Sequence, residues 1–431
     1  MTEQQPASSS RKRSRLPKGL AAFKHRNYRL FYFGQLISVT GTWMQTLAQS
    51  WLVLSLTSSA FLLGLVSVFQ FAPMLVLGLF AGLVADRMPK RKLLVGTQAI
   101  SAVLAGTLAI LTFTDAIQLW QVYLLAFLLG VNNAFDMPTR QAFVVEMVGK
   151  EDLTNAIALN SSIFNAARIV GPGIAGALLA AFGPAVCFAI NSVSYIAVIS
   201  GLLMMRIAPL ARVHISQRRL EQIREGLQYV RRTPEILRPV LLVGFVATFG
   251  MNTNIWVPLL AKNDLDSGAS GFGLLMSSMG VGALTGALGL AFLVSSVKRW
   301  MLFSTAGSLG VALLFLALAG AIPLAIPIAM FVMAIIGLFS TTTMALANTT
   351  VQSASPDELR GRIMSVYTTV FTGTAPFGAL VASAIANRFG TPVSLLIGGI
   401  VTLLAVAVVL LTGGAKLAFR ERMRLPNRRR V

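Results

Sequence analysis

Long uncharged runs separated by short charged ones set the pattern of this chain. Residues 61–85 and 93–114 contain no Asp, Glu, Lys or Arg, and each run is long enough to cross a hydrocarbon core of about 30 Å as a helix. The same alternation continues to the C-terminus. It predicts helices near 28–54, 61–85, 93–114, 118–135, 154–181 and 184–205, then near 239–261, 271–296, 301–321, 325–348, 363–386 and 392–413. The second six repeat the first. Leu153-Thr154-Asn155, Gly171-Pro172 and Phe182-Gly183-Pro184 correspond to Leu359-Arg360-Gly361, Ala375-Pro376 and Phe389-Gly390-Thr391, at offsets of 206, 204 and 207. The expected fold class is therefore an all-α membrane protein of twelve transmembrane helices in two pseudo-symmetric six-helix bundles. The bundles should occupy residues 27–206 and 239–413, flanked by a disordered basic tail over 1–26 and a basic tail over 414–431. Between them, residues 207–238 form a basic linker. Leu220, Ile223, Leu227 and Val230 recur there at helical spacing against charged residues, an amphipathic helix able to lie on a membrane surface.

Composition agrees. The 431 residues are 55% hydrophobic and only 12% charged, with a mean hydropathy of +0.74, whereas soluble domains carry about 25% charged residues. A net charge of +21 would suggest nucleic acid in a soluble protein, but its distribution gives another reading. Of the 36 Lys and Arg, only Arg168, Lys262 and Arg388 fall outside the two tails, the alternate loops and the first turn of the helix that follows the N-terminal tail. Such a bias places both termini in the cytoplasm of a cell-membrane protein and makes anionic lipid the partner of the positive charge. No nucleic-acid partner is expected, and the chain is expected to be monomeric. The single cysteine, Cys187, excludes an intrachain disulfide, and the two histidines, His25 and His214, offer no metal-ligand spacing. Gly149-Lys150-Glu151 lacks the Ser or Thr of a nucleotide-binding loop. No cofactor is expected, and any transport must draw on a gradient.

Three stretches carry candidate chemistry. The first is Gly82-Leu83-Val84-Ala85-Asp86-Arg87-Met88-Pro89-Lys90-Arg91-Lys92, a charged hinge between two uncharged runs. Its cations mark a cytoplasmic loop, and Asp86 is placed to accept hydrogen bonds from a helix N-terminus or an arginine fork as two bundles close. Asp136, expected at the end of the fourth helix, lies at the depth of Arg87 and Arg91. It has two readings, a cross-helix ion pair with one of those arginines and a proton-carrying acid. The second stretch is the polar face of the first helix, Gln35, Ser38, Thr42, Gln45 and Gln49, at steps of three and four. It either lines a cavity or hydrogen-bonds to neighbouring helices. The third lies on the fifth helix: Asn165, Arg168, Gly171, Pro172 and Gly176. A cation in mid-membrane costs about 2.5–3.5 kcal/mol or more unless it meets water or a partner, so Arg168 should face a cavity or a buried acceptor. The Gly-Pro-x-x-x-Gly run removes one backbone donor and strips side chains from one face, permitting a kink and close helix approach. In the second half, Asn252, Asn254 and Trp256, with the Ser340–Thr343 run and Asn348, are the polar counterparts. There the hinge is reduced to Ser295-x-x-Lys298-Arg299.

The pattern Gly82-x-x-x-Asp86-Arg87-x-x-x-Arg91-Lys92 resembles the loop between the second and third helices of the major facilitator superfamily, with Pro89 where that family usually has Gly. Gly171-Pro172 with Gly176 resembles the fifth-helix signature of its exporting members. Pro138-Thr139-Arg140-Gln141-Ala142-Phe143 and Arg168-Ile169-Val170-Gly171-Pro172 are similar to the branch of enterobactin exporters and macrolide efflux pumps. That resemblance implies export of an amphipathic small molecule by alternating access, with the proton as coupling ion. The arginine many relatives carry within the fourth helix is replaced here, near Ala126. An importer would share the architecture. A membrane-embedded enzyme would need an acid–base pair, metal cluster or activated nucleophile at bilayer depth, and a channel a ring of like residues; the sequence offers neither.

Overall fold

The computed structural model describes residues 18–149, 151–206, 219–293, 298–319, 325–356 and 358–424. In chain order the helices are α1 (Arg26–Thr57), α2 (Ala60–Arg87), α3 (Lys90–Phe113), α4 (Leu119–Val148), α5 (Leu153–Phe182) and α6 (Pro184–Leu203). The linker helix α7 (Arg219–Arg232) follows, then α8 (Pro234–Phe245), α9 (Thr253–Leu259), α10 (Gly268–Leu293) and α11 (Arg299–Ala317). The chain ends with α12 (Ala325–Ala354), α13 (Arg360–Gly373), α14 (Ala375–Phe389) and α15 (Thr391–Arg424). Ten spans among the described residues are long and apolar enough to cross a membrane, with α8–α9 and α13–α14 each forming one. Helices α1 and α4 have the length but carry more polar residues.

The sequence predicted a disordered tail through residue 26, but Lys18–Lys24 form a 3-10 helix docked on the start of α5. Ala22 N–H donates to Asn155 Oδ1 at 2.8 Å, Lys24 Nζ lies 2.6 Å from Asp152 Oδ2, and His25 Nε2 lies 2.8 Å from the same oxygen. Those hydrogen bonds, that of Lys24 foremost, hold the Asp152 carboxyl below the ordinary range. Residues 1–17, 207–218 and 294–297, with Ser295 of the reduced hinge, lie outside the described residues. The C-terminal helix runs on to Arg424 rather than stopping near 413.

Helix α4 differs most from expectation. Instead of ending at Phe135 it continues through Pro138 to Val148, so Asp136 and Arg140 stand inside a helix, one turn apart. The predicted single helix over 239–261 is interrupted by π-helical turns at Val246–Gly250 and Leu260–Asp264, on either side of α9. Such turns occur often at functional positions. The internal repeat survives as geometry. Helices α5 and α14 both end at a glycine with positive φ, Gly183 at 77° and Gly390 at 88°, a conformation glycine adopts without cost. At the repeated Gly-Pro and Ala-Pro the two halves part. Pro172 sits inside a continuous α5, whereas Pro376 opens α14 after a break at Thr374.

Candidate functional site

Two bodies meet along α5 against α10 and α2 against α14. Small residues make that approach possible. A Cβ on Gly176 would sit 2.7 Å from Gly273 Cα, and one on Gly280 would sit 2.7 Å from Arg168 O. Gly171 lies against α1, where a Cβ would meet Trp43 and the Thr40 carbonyl. The Gly-Pro-x-x-x-Gly face is thus shared between the helix α5 leans on and the helix across the divide. Further contacts join the bundles at the end remote from the chain termini. Lys262 Nζ donates to Leu54 O at 2.5 Å, Ser59 Oγ to Asn387 Oδ1 at 2.9 Å, and Trp51 stacks on Phe272 with ring centroids 6.2 Å apart.

At mid-depth in this seam stands Arg168. Its Nη2 donates to Asn165 Oδ1 at 3.1 Å on its own helix and to Thr341 Oγ1 at 3.0 Å on α12, bridging the two bundles. Beside it, Ser277 Oγ donates to Ile169 O at 3.1 Å. The Nε–H of Arg168 is buried and has no acceptor. An unpaired guanidinium N–H away from water is costly, and a ligand oxygen would satisfy it. Thr341 belongs to the polar run expected on this helix, but its partnership with Arg168 spans 173 residues and leaves no local pattern.

The second cluster lies within the first bundle, towards the chain termini. Asp136 is 6% exposed and does not pair with Arg87 or Arg91 as the sequence suggested. Arg140, one turn on, donates from Nε to Asp136 Oδ2 at 3.0 Å and also from Nη2, while its Nη1 donates to Gln35 Oε1 on α1. Thr97 Oγ1 and Gln98 Nε2 each donate to Asp136 Oδ1 at 2.7 Å, and Asn132 Nδ2 continues the network to Thr97 O and Ser101 Oγ. The physical reason is the uninterrupted α4: an i,i+4 pair on one helix needs no reach across a loop. Arg91 Nη2 instead donates to Leu203 O at 2.6 Å, Arg87 is exposed, and Lys90 pairs with Glu146 at 2.6 Å. Gly82 and Asp86 lie in the last turns of α2 and Lys92 in the first turn of α3. The spacing of Asp136 and Arg140 was a readable signal; Thr97, Gln98 and Asn132 gave none beyond being polar in apolar helices.

The polar face of α1 divides. Gln35 and Gln45 serve neighbouring helices, the latter accepting from Asn191 Nδ2 of α6 at 2.6 Å. Ser38 and Gln49 are buried, and Thr42 is exposed with its hydroxyl donating to Ser38 O. In the second bundle Asn252 Nδ2 donates to Thr248 O at 2.6 Å, and Trp256 is fully buried, its indole donating to Ser394 Oγ on α15 at 2.8 Å. Trp256 is a packing residue, not a pathway surface.

The family model described as transmembrane secretion effector matches residues 18–422. The chain belongs to that family. It is a major facilitator transporter and not an enzyme. Among relatives of this family member, the multidrug efflux pump Tap of Mycolicibacterium fortuitum is 28% identical over 92% of this chain and 96% of its own. The staphyloferrin A transporter of Staphylococcus aureus is 25% identical over 86% and 93%, and macrolide efflux protein A of Streptococcus pyogenes 24% over 90% and 96%. Solved structures agree in fold. The nucleoside transporter NupG superposes with a TM-score of 0.70 at 13% identity over 92% of this chain and 99% of that one. A bacterial homologue of the human lysosomal transporter Spinster, inward-facing and occupied, gives 0.70 at 14% identity over 90% and 96%.

Proposed function

We propose that this transporter exports an amphipathic small molecule across the cell membrane by alternating access driven by the proton gradient, with both termini in the cytoplasm. The observation that carries the reading is Arg168, a guanidinium at mid-depth in the seam between the bundles, bonded to both and holding its buried Nε–H unpaired. A group there that differs in partners between two bundle arrangements gives a substrate differential contact with each, which is what coupling binding to a rocking motion requires. Arginine keeps its charge in such a site and presents a planar fork to carbonyl or carboxylate oxygens. Relatives named for efflux of several drugs and of macrolides, and one named for a siderophore, favour amphipathic cargo.

The proton-carrying role falls to Asp136, a buried carboxylate held by Arg140, Thr97 and Gln98. Gly82, Asp86, Arg87, Arg91 and Lys92 form the gate at the cytoplasmic end, and Asp86→Asn should abolish transport without loss of membrane insertion. The deciding experiment is uptake into everted vesicles carrying the full-length protein, using a panel of dyes, macrolides and catecholate siderophores with and without a pH gradient. Gradient-dependent uptake of any one supports the reading. Equal fluxes with the gradient collapsed would remove the proton, and uptake only in right-side-out vesicles would make this an importer.

A further inference from the structure

On the outer flank of the first bundle, α5 and α6 part over α1 and leave a fissure of about 660 Å³. Its walls are Ile37 and Met44 of α1, Ile174 and Leu178 of α5, and Val193 and Ala197 of α6. The hydroxyls that reach it are already used, Thr40 on Leu36 O and Ser194 on Asn191 O. Val193, 64% exposed, and Ile37, 52% exposed, open it outward, so it faces the hydrocarbon and not the seam between the bundles.

The α1 wall of this fissure continues towards the chain terminus as one stripe: Arg26, Arg29, Phe33, Ile37, Thr40 and Met44 follow at steps of three and four and so share a helix face. The stripe changes from apolar to cationic at its end. Arg26 spends Nη1 on Met204 O at 3.0 Å and Arg29 spends Nη1 on Phe23 O at 2.7 Å, which fixes both guanidinium groups. Both residues remain exposed. Arg206, also exposed, is held alongside because its main-chain N–H donates to Asn27 Oδ1. Asp152 at this end of the bundle is already matched by Lys24 and His25 and does not neutralise the rim.

Depth fits the two parts together. At 1.5 Å per residue, the fissure residues of α1 lie about 10 to 22 Å from Arg29. One leaflet, from headgroup to midplane, is about 20–22 Å deep. A cation rim at the headgroup and a dry slot at acyl-chain depth on the same helix face match one amphiphile of that leaflet.

We infer that this flank binds an anionic glycerophospholipid, its phosphate on Arg26 and Arg29 and one acyl chain in the fissure between α5 and α6. Its contacts lie on α1, α5 and α6 and none lies in the seam, so the site is separate from Arg168. Native mass spectrometry of the full-length protein in neutral detergent tests it. Dioleoyl phosphatidylglycerol should bind about tenfold or more tighter than dioleoyl phosphatidylcholine, since each surface cation near an anionic headgroup contributes about 1 kcal/mol. Arg26→Gln with Arg29→Gln should bring that ratio close to one, and the paired Lys substitutions should keep most of it. Filling the slot with Ala197→Trp, or with Ile37→Trp should the first variant not fold, should weaken the dioleoyl lipid but leave dihexanoyl phosphatidylglycerol unchanged. A wild-type ratio near one would overturn the inference. So would an arginine variant that keeps the preference, or a filled slot that holds the long-chain lipid as before.

Discussion

Arg140 grips the carboxylate of Asp136 from one turn further along α4 and gives its remaining amino group to Gln35 of α1. Both residues are largely buried, with side chains 20% and 8% exposed, so each charge depends on the other. Removing one partner of a buried pair costs about 3–5 kcal/mol, whereas removing both leaves no orphaned charge. Asp136→Asn and Arg140→Gln should each lower the melting temperature sharply, and the double variant should lose much less than their sum. Strictly additive losses in a thermal double-mutant cycle would mean the two do not act as a pair.

Arg168 bridges α5 to α12. As a substrate contact, Arg168→Lys should fold and transport poorly, because an ammonium cannot reproduce the fork. Arg168→Ala should then lose anionic or oxygen-rich cargo more than cationic cargo. Efflux of one compound of each kind, read beside the melting temperature, checks this. Uniform loss together with a lowered melting temperature would mark the arginine as a pin between helices.

The approach of α5 to α10 leaves no room at Gly176, where a Cβ would lie 2.7 Å from the backbone of Gly273. Backbone cannot yield as a side-chain tip can. Gly176→Leu should therefore force the bundles apart, destabilise by about 1–3 kcal/mol or more, and stop transport. Gly289, with nothing within 4 Å of its Cβ position, provides the control: Gly289→Ala should be tolerated. Cysteine cross-linking between Ser59 and Asn387 would report whether the seam remains closed.

Asp152 holds the 3-10 helix Lys18–Lys24 to α5 through Lys24 and His25. Its carboxyl is held below the ordinary value of about 3.9. The sign follows: the carboxylate contributes fully above that value, and its contribution falls as pH drops through the lowered one. Trypsin cleavage after Lys24 should stay slow at neutral pH and speed up in Asp152→Asn. Hydrogen exchange over residues 18–24 should match that variant only in acid below the ordinary carboxylate range. Equal cleavage of wild type and variant at neutral pH would show that Asp152 does not hold the strap.

Twelve membrane-length segments and their grouping in two repeated halves were legible in the sequence because they rest on local quantities: runs of apolar residues, the charges between them, and glycines and prolines at fixed offsets. The superfamily was legible as a resemblance carried by the Gly82–Lys92 loop. The Gly171-Pro172 face was legible for the same reason, since small residues on one side of a helix permit close approach whatever the neighbour. What they approach was not. The pairing of Gly176 with Gly273, of Arg168 with Thr341, and of Gln45 with Asn191 joins residues far apart in sequence, and no local pattern encodes which helix stands opposite. Asp136 shows the limit most plainly. Its sequence neighbourhood, with Pro138 two residues on, read as a helix end facing the hinge arginines. Packing around α4 carries the helix past that proline instead, and once the helix continues, Arg140 is one turn away and Arg91 is committed to Leu203 of α6.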